Sequence, residues 1–570
     1  MPYENSKKDI YYPIALAVVM VIGIFLGVKL SNTDGRSNLL VSPKSDKLTN
    51  VLRYIENEYV DTIGMSNLVE ITIPSVLKNL DPHSVYIPAS EFQSVNEPLE
   101  GGFDGIGIQF NILNDTVVVI ATIKGGPSEK MGVLAGDRLI SINGKNVAGV
   151  KFPQDSVPKL LKGPTGTKVT IGIKRKEVKE LLYFELTRDK IPINSVDVSF
   201  MITREIGYIK ITTFAKTTYQ EFIRGFEKLK EQGMNKLILD LRGNNGGYMD
   251  AATNIANEFL PDNKLIVYTQ GKARPRENIY SDNEGIAHNI DLVILIDEYS
   301  ASASEILAGA IQDNDRGTII GRRSFGKGLV QEQVFFSDGS ALRLTIARYY
   351  TPSGRSIQKH YQPGDDEYYN DITNRLIHGE FQQADSIKLD DSVKYYTTRG
   401  RVVFGGGGIM PDIFIPLDTV GISPYLTKVV NRTLVYRFAF DFSDKHRKET
   451  RNITDFNSVK NYLDQFNLLE EFVAYAEKKG VPPNWQQIQH SRQILEVQLK
   501  AAIARNIIDN DGFYPFIKDI DQTLLKAKEF FESGKNIPGI SGIYIKPDLK
   551  RLINAHLKTT LQKDMISFSA

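Results

Sequence analysis

The chain has 570 residues, 41% of them hydrophobic, enough for several cores when a domain takes about 100 to 200 residues. Lys and Arg number 69 against 68 Asp and Glu, so the net charge of +1 gives no global field for gathering nucleic acid or an anionic surface. The absence of cysteine excludes disulfides, thiolate metal sites, iron-sulfur ligation and a cysteine nucleophile.

The first segment is topological. Residues 10–28 carry no charged side chain and are bounded by Lys7, Lys8 and Lys29, a run long enough to span a bilayer. The lysine pair predicts that residues 1–9 stay in the cytoplasm and that everything beyond Lys29 lies on the far side. Phe25-Leu-Gly-Val-Lys-Leu30 contains no Ala-x-Ala cleavage pattern, so the expectation is an uncleaved anchor followed by a polar linker over residues 29–45. Leu48, Val51, Leu52, Ile55 and Tyr59 then recur at helical spacing and open a helical domain, residues 46–100. Over 101–186 the texture turns to short β-rich runs with glycine punctuation, such as residues 116–121 and 168–174, which predicts a small β-domain.

Residues 187–420 hold two strand-turn-helix units, the signature of an α/β core. In the first, the strand 236–242 leads through Gly243-Asn-Asn-Gly-Gly247 into a helix over 250–260. In the second, the strand 291–297 leads through Ser300-Ala-Ser-Ala-Ser304 into a helix over 305–312. Each turn meets a helix N-terminus, where unpaired amides can hold an anion or oxyanion. Residues 421–570 carry helical patterns, for instance 458–479 and 491–506, and read as an accessory helical region. Within it Lys445-His-Arg-Lys448 reads as a solvated face. Asp509-Asn-Asp-Gly512 reads as a turn, because the glutamate a calcium loop needs is replaced by Lys518.

Ser302 is flanked by alanines that keep bulk away from its hydroxyl. A helix cap is the plain alternative, but a cap alone does not account for three alternating serines. As a nucleophile, Ser302 gains from the N-H of Ala303, which can point at the oxyanion formed after attack. It also needs a base. None of the seven histidines sits in a recognisable catalytic motif, and no Gly-x-Ser-x-Gly elbow is present. The better base is Lys327 in Gly321-Arg-Arg-Ser-Phe-Gly-Lys-Gly-Leu-Val-Gln331, provided that desolvation or nearby cations depress its pKa. Gln331 shares its face in an extended segment and can orient the amine as a neutral amide. The same segment nearly spells a phosphate loop, yet Gly328 stands where Ser or Thr must ligate magnesium.

These residues resemble a family. Ser-Ala-Ser-Ala-Ser-Glu-Ile, Ser-Phe-Gly-Lys-Gly-x-Val-Gln and Leu-Asp-Leu-Arg-x-Asn-x-Gly-Gly look like the C-terminal processing (tail-specific) serine peptidases. Asp81-Pro-His-Ser84, Ala347–Ile357 and Gly405–Asp412 extend the likeness to residues 46–417. The resemblance implies Ser302 as nucleophile, Lys327 as base and Gln331 as its orienting partner, with an oxyanion hole on the Ala303 N-H and a glycine amide of Gly246-Gly247. Glu305 and Asp313 match further motif positions. The implied fold is a crotonase-like α/β protease core with an inserted PDZ-like β-domain, an N-terminal helical domain and a C-terminal helical extension, behind one transmembrane helix. Gly105-Ile106-Gly107-Ile108 resembles a PDZ carboxylate-binding loop, and 136–144 a later PDZ strand.

The expected activity is that of an extracytoplasmic endopeptidase that captures protein C-termini and needs no cofactor. Its expected place is a bacterial inner membrane, with the catalytic part in the periplasm. Protein or peptide substrates, the membrane and, through 421–570, a second copy or an adaptor are the expected partners, and nucleic acid is not. A non-catalytic PDZ scaffold and a crotonase-like acyl-transforming enzyme are the rival readings.

Overall fold

A computed structural model describes residues 16–24, 47–113, 115–153, 155–176, 178–362, 367–387 and 393–534. The chain divides into two compact units between Asn79 and Leu80. In the first, the amphipathic spacing forms the helix Lys47–Glu58, and a second helix spans Met65–Leu77. Among the described residues no helix is long and apolar enough to cross a membrane. Of the 10–28 run only the helical residues 16–24 are described, and the rest of that expectation lies outside the described residues.

The second unit begins with a helix, α1 (Ala89–Glu100), and a β-domain. Strands β1 (Ile108–Leu113), β2 (Thr116–Thr122), β3 (Arg138–Ile142), β4 (Lys168–Lys174) and β5 (Leu182–Thr187) lie side by side in chain order, all antiparallel. Alternate residues Val117, Val119, Val169, Ile171 and Ile173 face its core, as period-two patterning requires. Strand β1 lies at one edge of this sheet.

Next comes a six-stranded sheet of β6 (Val196–Met201), β7 (Ile206–Ile211), β8 (Lys236–Asp240), β9 (Asp291–Ile296), β10 (Thr318–Gly321) and β13 (Ile413–Phe414), again in chain order. All neighbours from β7 onward are parallel, so helices must carry the chain back: α2 (Thr218–Glu231), α3 (Met249–Phe259) and α4 (Ala303–Asp313). A second sheet is built on β12 (Ala341–Tyr350), which pairs with β11 (Leu329–Phe335) on one side and with Val85–Ile87 and Leu265–Gln270 on the other.

Strands β8 and β9 are apolar at nearly every position because both faces are buried. One face, with Leu237, Leu239 and Ile294, packs on Phe222, Phe259 and Leu307 of the three helices. The opposite face, with Tyr208, Ile238, Val293 and Leu295, packs on Leu524, Ala527 and Phe531 of α5 (Gln522–Glu532). The C-terminal region therefore completes the core of this sheet through α5. Asp521, which caps α5 by accepting from the Leu524 N-H, also holds both Nη atoms of Arg242 at 2.9 and 2.6 Å. Burial alone would raise the Asp240 carboxyl, but Arg242 and Lys210 hold it well below the carboxylate range.

The accessory helices have their own core around Phe438, Phe472 and Leu499. They also reach the β-domain. Asp444 meets Arg138 at 3.3 Å, and the Arg447 guanidinium lies so close to Gly136 that an added Cβ would stand 2.8 Å from its Nε. The stretch Lys445–Lys448 is thus only partly the solvated face its charge suggests. Its His446 stacks on Phe442 with ring centroids 4.4 Å apart, and Arg447 is half-buried.

Cutting Leu524 to alanine should lower stability by about 2 to 5 kcal/mol, read as a shifted midpoint in denaturant unfolding. An unchanged midpoint would mean that α5 is not a cover for the sheet.

Candidate active site

At the end of β9 the chain turns through residues 297–302 and enters α4. Ser302 sits at this corner with φ 56° and ψ −113°, a conformation that costs a non-glycine residue roughly 1 to 3 kcal/mol. Local hydrogen bonds fix it. Its N-H donates to Glu305 Oε2 at 2.8 Å, and its C=O accepts from the N-H of Glu305 and Ile306 at 2.9 and 3.0 Å. The corner has the shape of a nucleophile elbow without the glycines that advertise one. Ser302 is also the helix N-cap, in a capping box with Glu305, so the cap and nucleophile readings coincide at one residue.

The outer serines have a different task. Ser300 Oγ donates to the Leu241 C=O at 2.8 Å and Ser304 Oγ to the Asn244 C=O at 2.9 Å, while the Ala301 N-H reaches the same Asn244 oxygen at 3.0 Å. They stitch the serine turn to the loop after β8. Asn244 in turn takes the Gly246 N-H on its Oδ1 at 2.8 Å. Gly246, at φ 99°, leaves clearance for the serine, since a Cβ there would lie 2.7 Å from Ser302 Cβ. The N-H groups of Ala303 and Gly247 have no acceptor among the described residues, so they are the pair free to face an oxyanion. Of the two candidate glycines, Gly247 offers a donor and Gly246 offers space.

Lys327 lies in the segment that joins β10 to β11. Glu305 Oε2 accepts the Lys327 N-H at 2.9 Å, and Oε1 accepts from Gly326 N-H at 2.7 Å and Ser324 Oγ at 2.5 Å. One fully buried carboxyl therefore ties the serine corner to the lysine segment. Burial pushes that carboxyl up to about 7, against the pull of its four donors. The carbonyls are bridged as well. The Tyr349 hydroxyl lies 3.1 Å from the Ser302 C=O and closer to that of Lys327, with one proton to share between them. Gly326 permits the close approach, as a Cβ there would stand 3.1 Å from the Gly408 nitrogen.

The Lys327 amine has no hydrogen-bond or ion-pair partner among the described residues. Burial first, and then the nearby Arg343 guanidinium, lower its pKa to about 8, against the opposing pull of Glu305 and Asp81. Among the described residues Arg343 has neutral partners, Asn96 and Gln333, and no carboxylate to cancel its charge. His83 lies close to Lys327. Burial and then the Lys327 charge lower it to about 3, and its Nε2 lies 2.6 Å from the Tyr368 hydroxyl. It is neutral at physiological pH.

Gln331 Nε2 donates to Thr345 Oγ1 at 3.3 Å, and Thr345 Oγ1 lies 3.1 Å from Asp81 Oδ1. Sequence reasoning named Ser302, Lys327, Gln331, Ala303, Gly246 and Gly247; the structure brings Ser302, Ala303 and the Gly246-Gly247 turn together and ties the Lys327 backbone to them through Glu305, while Gln331 meets Thr345. It passed over the bridging role of Glu305 and the parts played by Tyr349, Arg343, Asn244 and Thr345. Only Glu305 had a local signal, the Ser-x-x-Glu spacing of a capping box.

A second candidate site lies in the β-domain. Gly105 to Ile108 run from a short strand, Gly102–Gly105, into β1, with Gly107 at φ 71°. The Ile106 C=O is engaged by the Ser128 N-H and Oγ at 3.1 and 2.6 Å, whereas the Ile106 and Gly107 N-H groups have no acceptor among the described residues. Unengaged loop amides beside an edge strand suit a terminal carboxylate with its peptide extended along β1.

Residues 205–366 match the model of peptidase family S41, residues 105–186 that of the PDZ domain, and residues 425–509 that of a family of unknown function, DUF8443. Over 350 residues the chain is 33% identical to a probable CtpA-like serine protease of Staphylococcus aureus strain N315, covering 60% of this chain and 68% of that one. A carboxy-terminal-processing protease of Bartonella bacilliformis is 33% identical over 60% of this chain and 80% of its own length. The Bacillus subtilis carboxy-terminal processing protease CtpA is 32% identical over 61% and 73%. Among solved structures, a photosystem II D1 C-terminal processing protease is 29% identical over 55% of this chain and 90% of that one, with a TM-score of 0.32. Fold, site and relatives define a serine peptidase with a PDZ domain. The chain belongs to peptidase family S41, with the carboxy-terminal processing proteases.

Two changes probe the geometry. Gly246→Ala should cut kcat/KM about 100-fold or more with circular dichroism unchanged, because the new Cβ meets Ser302. Activity that needs a neutral Lys327 should rise with pH through about 8, and Arg343→Gln should move this limb to higher pH by removing a like charge. A limb that stays in place would exclude Arg343 as a source of the depression.

Proposed function

We propose that this chain is an endopeptidase of the Ser-Lys type that receives protein C-termini in its PDZ domain and cuts within the polypeptide so held. The observation that carries this reading is the Glu305 oxygen that accepts from the backbone N-H of both Ser302 and Lys327, because it seats the nucleophile and base segments together. Lys327 takes the hydroxyl proton as Ser302 Oγ attacks the scissile carbonyl, and the amides of Ala303 and Gly247 receive the oxyanion. The C–N bond then breaks as Lys327 returns the proton to the leaving amine, which leaves an acyl-serine. Water, deprotonated by the same amine, hydrolyses that ester. Gln331 orients the amine without the negative charge that would hold it protonated.

At the PDZ domain the 105–108 loop takes the terminal carboxylate and the substrate adds as a strand to the edge of β1. The domain plan that goes with this reading is the one drawn from sequence, with the described helices between 424 and 532 bracing the core. The charge-free run 10–28 behind Lys7 and Lys8 supports a single-pass anchor in a bacterial inner membrane, with the catalytic part in the periplasm and extracytoplasmic proteins as targets.

The test is cleavage of an unfolded reporter protein carrying either a free or an amidated C-terminus. Ser302→Ala and Lys327→Ala should each lose about 10⁴-fold or more in kcat/KM, and amidation should slow the wild type by raising KM. An active Lys327→Ala enzyme would overturn the Ser-Lys mechanism, and equal cleavage of both reporters would overturn tail recognition.

A further inference from the structure

We infer that Thr345 and Asp81 are positioning residues that decide which end of the Gln331 side-chain amide faces Lys327. The inference rests on the Ser-Lys reading above and concerns how its orienting glutamine is itself oriented.

An amide side chain has a donor end and an acceptor end of nearly equal shape, so packing alone sets its direction weakly. Hydrogen-bond polarity sets it firmly. Asp81 is a buried carboxylate surrounded by donors: Oδ1 accepts the N-H of His83 at 2.8 Å and of Ser84 at 2.9 Å, and Oδ2 accepts Ser84 Oγ at 2.5 Å. A carboxylate only accepts, so the Thr345 hydroxyl, 3.1 Å from Oδ1, must spend its single proton on Asp81. The lone pairs of Thr345 Oγ1 are then left to accept, and Gln331 can meet them only with its NH2 group, which it does at 3.3 Å. The carbonyl Oε1 is thereby turned away from Thr345, free to accept from the lysine amine and hold its lone pair toward the serine proton. A flipped amide would set its carbonyl against the lone pairs of Thr345 and would donate its NH2 to the lone pair of the neutral amine, occupying the electrons the base needs.

The backbone is arranged to make this contact. Strands β11 and β12 pair in simple antiparallel register from Leu329↔Arg348 to Val330↔Ala347, after which Gln331 is opposite Thr345 rather than Ile346. The bulge passes over one residue of β12 and makes the glutamine and threonine a cross-strand pair. Ser84 fixes the other end, since its hydroxyl accepts the Thr345 N-H at 3.1 Å while donating to Asp81. The Asp81-Pro-His-Ser84 turn, distant in sequence from both catalytic segments, is thus the start of a polarity chain that ends on the base.

The test compares Thr345→Val, which keeps the shape and loses the hydroxyl, with Thr345→Ser, which keeps the hydroxyl, each alone and with Gln331→Ala. Thr345→Val should lower kcat about 10- to 100-fold with KM within about 2-fold, and Thr345→Ser should restore kcat. In the Gln331→Ala background Thr345→Val should cost nothing further, because the residue acts through the glutamine. Thermal melting of every variant separates this from loss of fold. A Thr345→Val enzyme with wild-type kcat, or a double variant whose loss is the product of the two single losses, would overturn the inference. Failure of the underlying Ser-Lys reading would show elsewhere, as turnover by Lys327→Ala.

Discussion

The active site depends on one buried carboxyl. Glu305 is fully enclosed, and it accepts from the N-H of Ser302, Gly326 and Lys327 and from the Ser324 hydroxyl. Each bond is charge-assisted when the carboxyl is ionised and so stronger than a neutral one, and together they offset part of the cost of taking the group out of water, burial still raising the carboxyl to about 7. What they hold is the improbable part of the structure: a serine at φ 56° and a lysine segment threaded past Gly408. Tyr349 ties the same two segments from the carbonyl side. Ser302 and Lys327 come from separate crossovers of the sheet, and without this cross-brace their spacing would be free to drift.

The sheet below imposes the next constraint. Parallel strands that are apolar on both faces need two covers. The crossover helices supply one, and the second comes from α5, which begins more than 200 residues beyond the last core helix. Its docking point is Arg242, two residues past the end of β8 and directly before the loop that carries Gly246 and Gly247. The accessory region therefore reaches the oxyanion side of the site through one bidentate ion pair. Through Asp444 and Arg447 it also touches the PDZ domain.

Much of this was legible in the sequence. The strands at 236–240 and 291–296, the helix after each and the β-runs of the PDZ domain follow from continuous or alternating apolar residues, which leave the chain few other ways to bury them. Ser302, Lys327 and the glycines were legible because chemistry restricts what can stand there. The partners that tune them were not. Thr345 and Asp81 are 264 positions apart, and no local pattern says that a hydroxyl on one strand will spend its proton on a distant turn. The same holds for Arg343, whose effect on Lys327 depends on lacking a carboxylate partner. Among the accessory helices, the pattern over 458–479 reads as one helix but forms two, Phe456–Leu463 and Leu468–Lys478. Val459, Leu463, Leu469 and Phe472 can share a core only if the chain turns between them.

The central claim is that a desolvated lysine, and no histidine, activates Ser302. The most direct measurement is the pH dependence of Ser302 phosphonylation by a serine-reactive phosphonate, followed by mass spectrometry in the wild type and in His83→Gln. The account predicts a labelling rate that climbs with pH through about 8 and keeps that midpoint when His83 is replaced. A midpoint near 6.5, or one that disappears with His83, would contradict it.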